Sequence, residues 1–226
     1  MNKQKYLSKC IVFLTLGLLG ISASASFASH IHSASAMGIC AGEFNSQFTS
    51  NANCWDIEKG TWEVKNGKYQ IGFTGYGYSS VSHRAKYTKM KYIAKMKRIG
   101  TCSNCLNYLM IRGTPDPLVG AESSWQKAYG FAYDNEGRFR ATKINSGTWT
   151  GFIESTSTAI NKGGWNILKV VARRKNFKFF INNVLVWSGS DNSGSVFKGG
   201  KVGIMTWSQG ELDTKFLVDW AKIIIP

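Results

Sequence analysis

Along most of this chain the apolar positions recur at every second residue, which is the period of a β-strand and not of a helix face. Residues 55–58, 61–64 and 68–73 read as three short strands, with Gly60 in the first turn and Asn66-Gly67 in the second. An Asn-Gly pair between β-type runs signals a hairpin, because both residues tolerate positive φ. The clearest alternation spans residues 89–99. Met90, Tyr92, Ala94 and Met96 fall on one face, and Lys89, Lys91, Ile93, Lys95 and Lys97 on the other. That pattern predicts a half-buried strand with a lysine-rich outer face.

Residues 166–187 predict three strands and two turns. Leu168, Val170 and Ala172 share one face, Ile167, Lys169, Val171 and Arg173 the other, and Phe177, Phe179 and Ile181 form the next inward row. The turns fall at 174–176, an Arg-Lys-Asn loop tip, and at Asn182-Asn183. Further strands are expected over 106–111, 129–133, 138–144, 201–207 and 215–225, and the polar stretch 155–162 reads as loop. No amphipathic helix of three turns emerges. Many short strands with 24 Gly and 3 Pro predict an all-β sandwich or barrel.

The first residues have a different character. Lys3, Lys5 and Lys9 precede an apolar run over 10–21 and then small residues, the pattern of a secretory signal over residues 1–25. Ala23-Ser24-Ala25 and Ala34-Ser35-Ala36 are both candidate cleavage motifs, so processing is expected anywhere up to residue 36. The apolar run is short for a membrane span, and no later stretch is long and apolar enough to be one. Residues 26–39 read as a Ser/Ala-rich flexible lead-in and residues 40–226 as one domain, exported to the periplasm or the extracellular space.

Cysteine usage agrees with export. Beyond Cys10 in the leader there remain Cys40, Cys54, Cys102 and Cys105, an even number suited to an oxidising compartment. Of the three pairings, Cys40–Cys54 and Cys102–Cys105 are favoured. A redox or metal role for Cys102 and Cys105 lacks a second Cys pair, a nearby His and a βαβ context.

Charge adds a constraint on partners. The chain carries 28 Lys+Arg against 13 Asp+Glu, and loss of Lys3, Lys5 and Lys9 with the leader leaves a net +12. Such a field favours anionic polymers or surfaces. Lys89, Lys91, Lys95 and Lys97 form a basic face, to which Lys169 and Arg173 are added if their strand is adjacent. The competing reading is a solvated face whose lysines block edge pairing. No nucleic-acid module is legible, so sequence-specific nucleic-acid recognition is not expected.

The order of these elements resembles a known family. Residues 55–69 (WDIEKGTWEVKNGKY), 129–139 (YGFAYDNEGRF), 163–186 (GGWNILKVVARRKNFKFFINNVLV), 200–207 (GKVGIMTW) and 216–223 (FLVDWAKI) resemble the concanavalin A-like lectin/glucanase jelly roll. More narrowly, they are similar to secreted bacterial domains related to laminin-G-like and 3-keto-disaccharide hydrolase-like sequences. The likeness runs over roughly residues 55–225. It implies a two-sheet antiparallel β-sandwich, ligands on a concave face or its rim, and a carbohydrate as partner. Calcium is the one ion the resemblance admits; the residues themselves suggest no cofactor and no metal site. Where relatives carry Gly in the second turn of residues 166–187, this chain has Asn183, which also accepts positive φ.

Catalytic chemistry is weakly represented. Period-two spacing places paired acids on one sheet face, and retaining glycoside hydrolysis needs two carboxyls roughly 5–5.5 Å apart. Glu211 and Asp213 are the best such pair. Asp56 and Glu58 read as solvated charges on an edge strand, Asp134 and Glu136 as turn formers, and Asp219 as a structural position. His83 is the only His within residues 40–226, and no nucleophile elbow accompanies it. Binding chemistry is better supplied. Tyr76, Tyr78, Trp125, Trp149 and Trp207 fall in predicted loops, where aromatic faces can stack on sugar rings while Arg112, Arg140 and Gln209 bind hydroxyls. The leading expectation is a secreted, non-catalytic carbohydrate-binding protein for acidic or cell-surface glycans. The alternatives are a glycoside hydrolase-like enzyme using Glu211, Asp213 and His83, and an adhesion or matrix protein.

Overall fold

The computed structural model describes residues 40–72, 75–116, 125–210 and 213–226. The expected leader and lead-in lie outside the described residues. The alternating segments become β1 (Phe44–Ser46), β2 (Trp55–Lys59), β3 (Glu63–Lys65), β4 (Lys68–Gly72), β5 (Tyr76–Tyr87), β6 (Met90–Ile99), β7 (Asn107–Pro115) and β8 (Trp125–Tyr133). The chain continues through β9 (Arg138–Asn145), β10 (Thr148–Thr156), β11 (Asn166–Arg173), β12 (Asn176–Ile181), β13 (Val184–Ser190), β14 (Gly200–Gln209) and β15 (Lys215–Ile224).

These strands pair antiparallel into two sheets. One runs β13-β12-β11-β6-β15-β4-β3, with β1 also on β15, and the other runs β10-β9-β8-β7-β14-β5-β2. Inward rows from both sheets meet in one core, including Tyr92, Met96, Val170 and Phe179 from the first and Leu109, Phe131 and Ile204 from the second, all fully buried. Of the two all-β alternatives, the sandwich is the one built.

The strong alternations fold as expected. On β6, Met90, Tyr92, Ala94 and Met96 are fully buried while Lys91, Lys95 and Lys97 stay partly exposed. Both predicted asparagine turns take left-handed backbone, with φ of 52° and 68° at Asn66 and Gly67, and 49° and 68° at Asn182 and Asn183. Both expected disulfides, Cys40–Cys54 and Cys102–Cys105, are formed.

Besides the three-residue β1, two strands run where no alternation predicts them. β5 begins at Tyr76 and includes Tyr78; its Ser80 and Ser82 are buried between β14 and β2, so the polar side of this inner strand hides the period. β10 includes Trp149 and the first two residues of the expected loop at 155–162. It is an edge strand with both faces largely solvated, so nothing requires its sequence to alternate. Trp125 and Trp207 likewise sit on strands, β8 and β14, and not in loops. The edges share a feature. Register shifts interrupt β10 between Gly151 and Ile153, β13's partner between Phe179 and Phe180, and β2 between Ile57 and Lys59, while β3 has three residues.

Buried polar groups lock the two layers together. Arg98 points inward from β6 and donates to Asn107 Oδ1 at 3.1 Å, the Trp207 carbonyl at 3.2 Å, the Leu106 carbonyl at 3.5 Å and the Thr206 hydroxyl. Toward the other end of β14, Arg112 donates to the carbonyls of Thr88, Phe197 and Arg174. Between β9 and the loop after β13, Lys143 Nζ lies 2.8 Å from Asp191 Oδ2 and also donates to Ser193 Oγ, and the Tyr129 hydroxyl donates to Asp191 at 2.6 Å. Burial opposes the Asp191 charge, but these hydrogen bonds outweigh it and hold the carboxyl well below its usual range.

His83 belongs to the core and not to a reaction centre. It is 1% exposed and stacks on Phe44 with ring centroids 4.1 Å apart. Its Nδ1 accepts the Ala85 amide at 3.3 Å, so the ring is the neutral Nε2–H tautomer. Burial lowers its pKa to about 4, against the smaller opposing pull of Asp56.

Two outcomes are expected. Because unfolded His83 titrates near ~6.5, the unfolded state gains the proton first. Stability should therefore be full above about pH 6.5 and decline by up to about 3 kcal/mol as pH falls to 4. Urea melts at pH 7, 5.5 and 4 measure this, and His83→Gln should flatten the decline. Asp191 acts only below about pH 4, where the unfolded carboxyl begins to protonate. Separately, Lys143→Met should cost about 3–5 kcal/mol by stranding Asp191, and Lys143→Met with Asp191→Leu should recover most of that loss.

Candidate functional site

The alternation that turns Leu109 and Ile111 inward turns Tyr108 and Met110 to the opposite side of the seven-stranded sheet. There they join Leu106, Ala132 and Met205 in a second cluster. Tyr78 from β5, Trp149 from β10 and Trp207 from β14 pack on this cluster and keep part of each ring exposed. Tyr76, at the start of β5, is 72% exposed.

These rings line a cleft of about 360 Å³ with Asn104, Arg138, Arg140 and Gln209. Tyr78 stacks on Trp149 at 5.6 Å and 16°, and Tyr76 meets Trp207 edge-on at 5.7 Å and 81°. Tyr108 closes against Trp149 at 5.8 Å. A second hollow of about 430 Å³ shares Tyr78, Arg140 and Trp149 and adds Thr142 and Glu154. The result is a set of partly exposed rings, fixed by each other, with hydrogen-bonding groups between them.

The polar groups are held in place. Arg140 donates to Glu154 at 2.8 Å, across the register that sets β9 against β10. Arg138 bonds Asp134 at 2.7 Å and Glu136 at 3.0 Å, and the Asp134 carboxylate also accepts the amides of Glu136 and Arg138. Asn104 lies inside the Cys102–Cys105 loop. Beneath the rim, Arg98 binds the backbone of Leu106 and Trp207, two lining residues.

Six of the sequence candidates therefore meet at one place: Tyr76, Tyr78, Arg140, Trp149, Trp207 and Gln209. The others do not join them. Trp125 is fully buried, and its indole fills space left by Gly113 and Gly203, where a Cβ would sit 2.4 Å from the ring. Arg112 is 1% exposed and spends its donors on backbone carbonyls. Asp213 accepts a hydrogen bond from Thr101 at 2.9 Å, His83 lies in the core, and Glu211 falls outside the described residues. Asp56 and Glu58 are engaged by Arg84 and Lys201 on the β2 edge.

Sequence reasoning missed Asn104, Arg138, Thr142 and Glu154. Glu154 had a usable signal: Asn145-Ser146-Gly147 is a hairpin turn, with φ of 49° at Ser146 and 80° at Gly147, and reading it places Glu154 opposite Arg140. Among the described residues no group of three or more His, Cys, Asp or Glu gathers as a metal centre would. No helix of the described residues is long and apolar enough to cross a membrane.

No protein-family model matches the chain, and no curated protein is similar to it. Solved structures are. The chain is similar to the carbohydrate binding module CBM66 from Bacillus subtilis, at 20% identity and TM-score 0.59, over 74% of this chain and 94% of that one. It is similar to a prokaryotic β-1,3-1,4-glucanase (lichenase) derived from a mouse hindgut metagenome, at 13% identity and TM-score 0.64, over 82% and 100%. It is also similar to a Bacillus subtilis protein with a galectin-like fold, at 10% identity and TM-score 0.61, over 80% and 94%. At these identities the likeness is one of architecture: the chain is a concanavalin A-like jelly-roll sandwich.

Proposed function

We propose that this chain is an exported, non-catalytic carbohydrate-binding protein that holds acidic or cell-surface glycans in the aromatic cleft. The observation that carries this reading is the convergence of Tyr76, Tyr78, Trp149 and Trp207 from three strands around Arg140 and Gln209. Aromatic faces bind the apolar side of a pyranose, and amide and guanidinium groups bind its hydroxyls. A solved neighbour of the same fold is named as a carbohydrate binding module, which supports the class of ligand. Two disulfides and the leader-like first 25 residues support export.

Hydrolysis is the second reading, favoured by a neighbour named as a β-glucanase. Against it stands the carboxylate count among the described cleft residues. Among the described residues no acid lines the first hollow, and Glu154, the acid lining the second, is bound to Arg140. A retaining mechanism needs a second carboxyl roughly 5–5.5 Å away.

The two readings separate in one assay. Incubating the protein with immobilised glycans should give retention without new reducing ends. Trp207→Ala and Trp149→Ala should each weaken retention about 10-fold or more, as truncation of a central aromatic contact does. Retention in the cleft should persist in moderate salt, since stacking is not screened. Steady release of reducing ends that Glu154→Gln or Glu211→Gln abolishes would overturn the binding-only reading.

A further inference from the structure

The opposite outer face, on the eight-stranded sheet, is not used by the cleft. Its register produces a particular charge pattern. Across β12, β11, β6 and β15, Lys178 lies opposite Val171, which lies opposite Lys91, which lies opposite Ile224. One step along, Phe180, Lys169, Ile93 and Lys222 are aligned, and the next row places Ile167, Lys95 and Trp220 side by side. Lys97 then faces Leu217. Cations and apolar side chains thus alternate in both directions, and in these rows each lysine has an apolar cross-strand partner. Directly opposed like charges destabilise a sheet, so this arrangement keeps a dense positive face at low cost. Diagonal cations such as Lys91, Lys169 and Lys95 stand roughly 7–8 Å apart.

The aromatic faces here are already occupied. Lys68, Lys95 and Lys97 lie over Trp165 at 5.1–6.0 Å, Lys169 over Phe180 at 4.1 Å, and Lys222 over Trp220 at 5.2 Å. Asp219 sits between Lys68 and Lys95 at 2.7 and 2.8 Å. Among the described residues, Lys91, Lys97, Lys169, Lys178 and Lys222 form no ion pair.

This face continues over the end of the sandwich into two hollows. One, of about 600 Å³, is lined by Lys89, Arg174, Lys175 and Lys198 above Arg112; the other, of about 410 Å³, shares Lys89 and Arg174 and adds Arg173. Among the described residues no Asp or Glu lines either hollow, and Pro226, the last residue of the sequence, also lines the second. Seven residue steps along β14 separate Gly200, beside Arg112, from Trp207 at the cleft, roughly 23 Å of strand.

We infer that the lysine face and the end hollows form one track for a linear polyanionic saccharide, distinct from the aromatic cleft. The rings lie under ammonium groups, which removes the stacking platforms that single-stranded nucleic acid needs. The track bends into the hollows, a path that a flexible chain follows and a planar bilayer does not. Between the charges, the partly exposed Ile167, Val171 and Leu217 meet the C–H faces of sugar rings. Sulfate, phosphate and carboxylate substituents all satisfy the same cations, so charge density and not substituent chemistry sets the affinity.

The test compares dextran sulfate, polygalacturonate and uncharged dextran with an oligo-dT strand and with vesicles of 70% phosphatidylcholine and 30% phosphatidylglycerol. Both anionic saccharides should bind, and plain dextran should not bind the track. Affinity should fall about 100-fold between 50 and 200 mM salt, as release of counterions from about five contacts implies. Lys91→Gln, Lys95→Gln, Lys169→Gln and Lys222→Gln together should weaken binding more than 10-fold and flatten the salt slope. The separate set Lys89→Gln, Lys175→Gln and Lys198→Gln, off the sheet face, should also weaken it. Trp207→Ala should leave the salt-dependent part of polyanion binding unchanged and lower only the salt-resistant retention of the cleft, so failure of the cleft and failure of the track are read independently. Equal binding by the lysine variants, loss of the salt-dependent binding in Trp207→Ala, or tighter binding to vesicles or oligo-dT than to either saccharide would overturn the inference.

Discussion

The guanidinium of Arg98, buried between the layers, is the contact on which the arrangement of the cleft depends. It leaves β6 on the inner face of one sheet and binds Asn107, Leu106, Thr206 and Trp207 on the other. A buried charge is costly unless its donors are satisfied, so the chain cannot shift β14 against β6 without breaking several charge-assisted bonds. Two of its acceptors are backbone carbonyls of cleft residues. The position of Trp207 is therefore set from inside the sandwich and not by the loops around it. Arg112 serves the basic end in the same manner, joining Thr88, Arg174 and Phe197.

Fixed sheets let the two outer faces differ in chemistry. On the seven-stranded sheet the outward row is aromatic and small, with Tyr108 and Met110 beside Ala128 and Ala132. On the eight-stranded sheet it is cationic and aliphatic. The same period-two rule generates both, because every residue turned away from the shared core falls on one of these outer faces. The large positive charge of the chain is thus concentrated away from the aromatic cleft, whose two arginines are each paired with acids.

Legibility followed burial. β6, β11 and β12 have one face in the core and one in water, so their alternation is clean and their faces can be assigned residue by residue. β5 is inner and carries buried serines, and β10 is solvated on both sides, so each lacks the contrast that marks a strand. The aromatic candidates were identifiable as residues, but their convergence came from pairing between β5, β14 and β7, which are distant in sequence. Trp125 and Arg112 were misjudged for the same reason. A tryptophan beside Gly113 and Gly203, or an arginine facing three carbonyls, is recognisable only once those partners are adjacent.

The interrupted outer strands have a colloidal consequence. Among the described strands, each sheet ends on an edge that is very short or carries an irregularity at or beside it. An uninterrupted edge templates growth by further copies, and a kinked one presents its amides out of step. Copies crowded along a single anionic polymer would be brought to high local concentration, the condition under which strand-to-strand fusion begins. The broken edges allow such crowding while each molecule stays a separate particle.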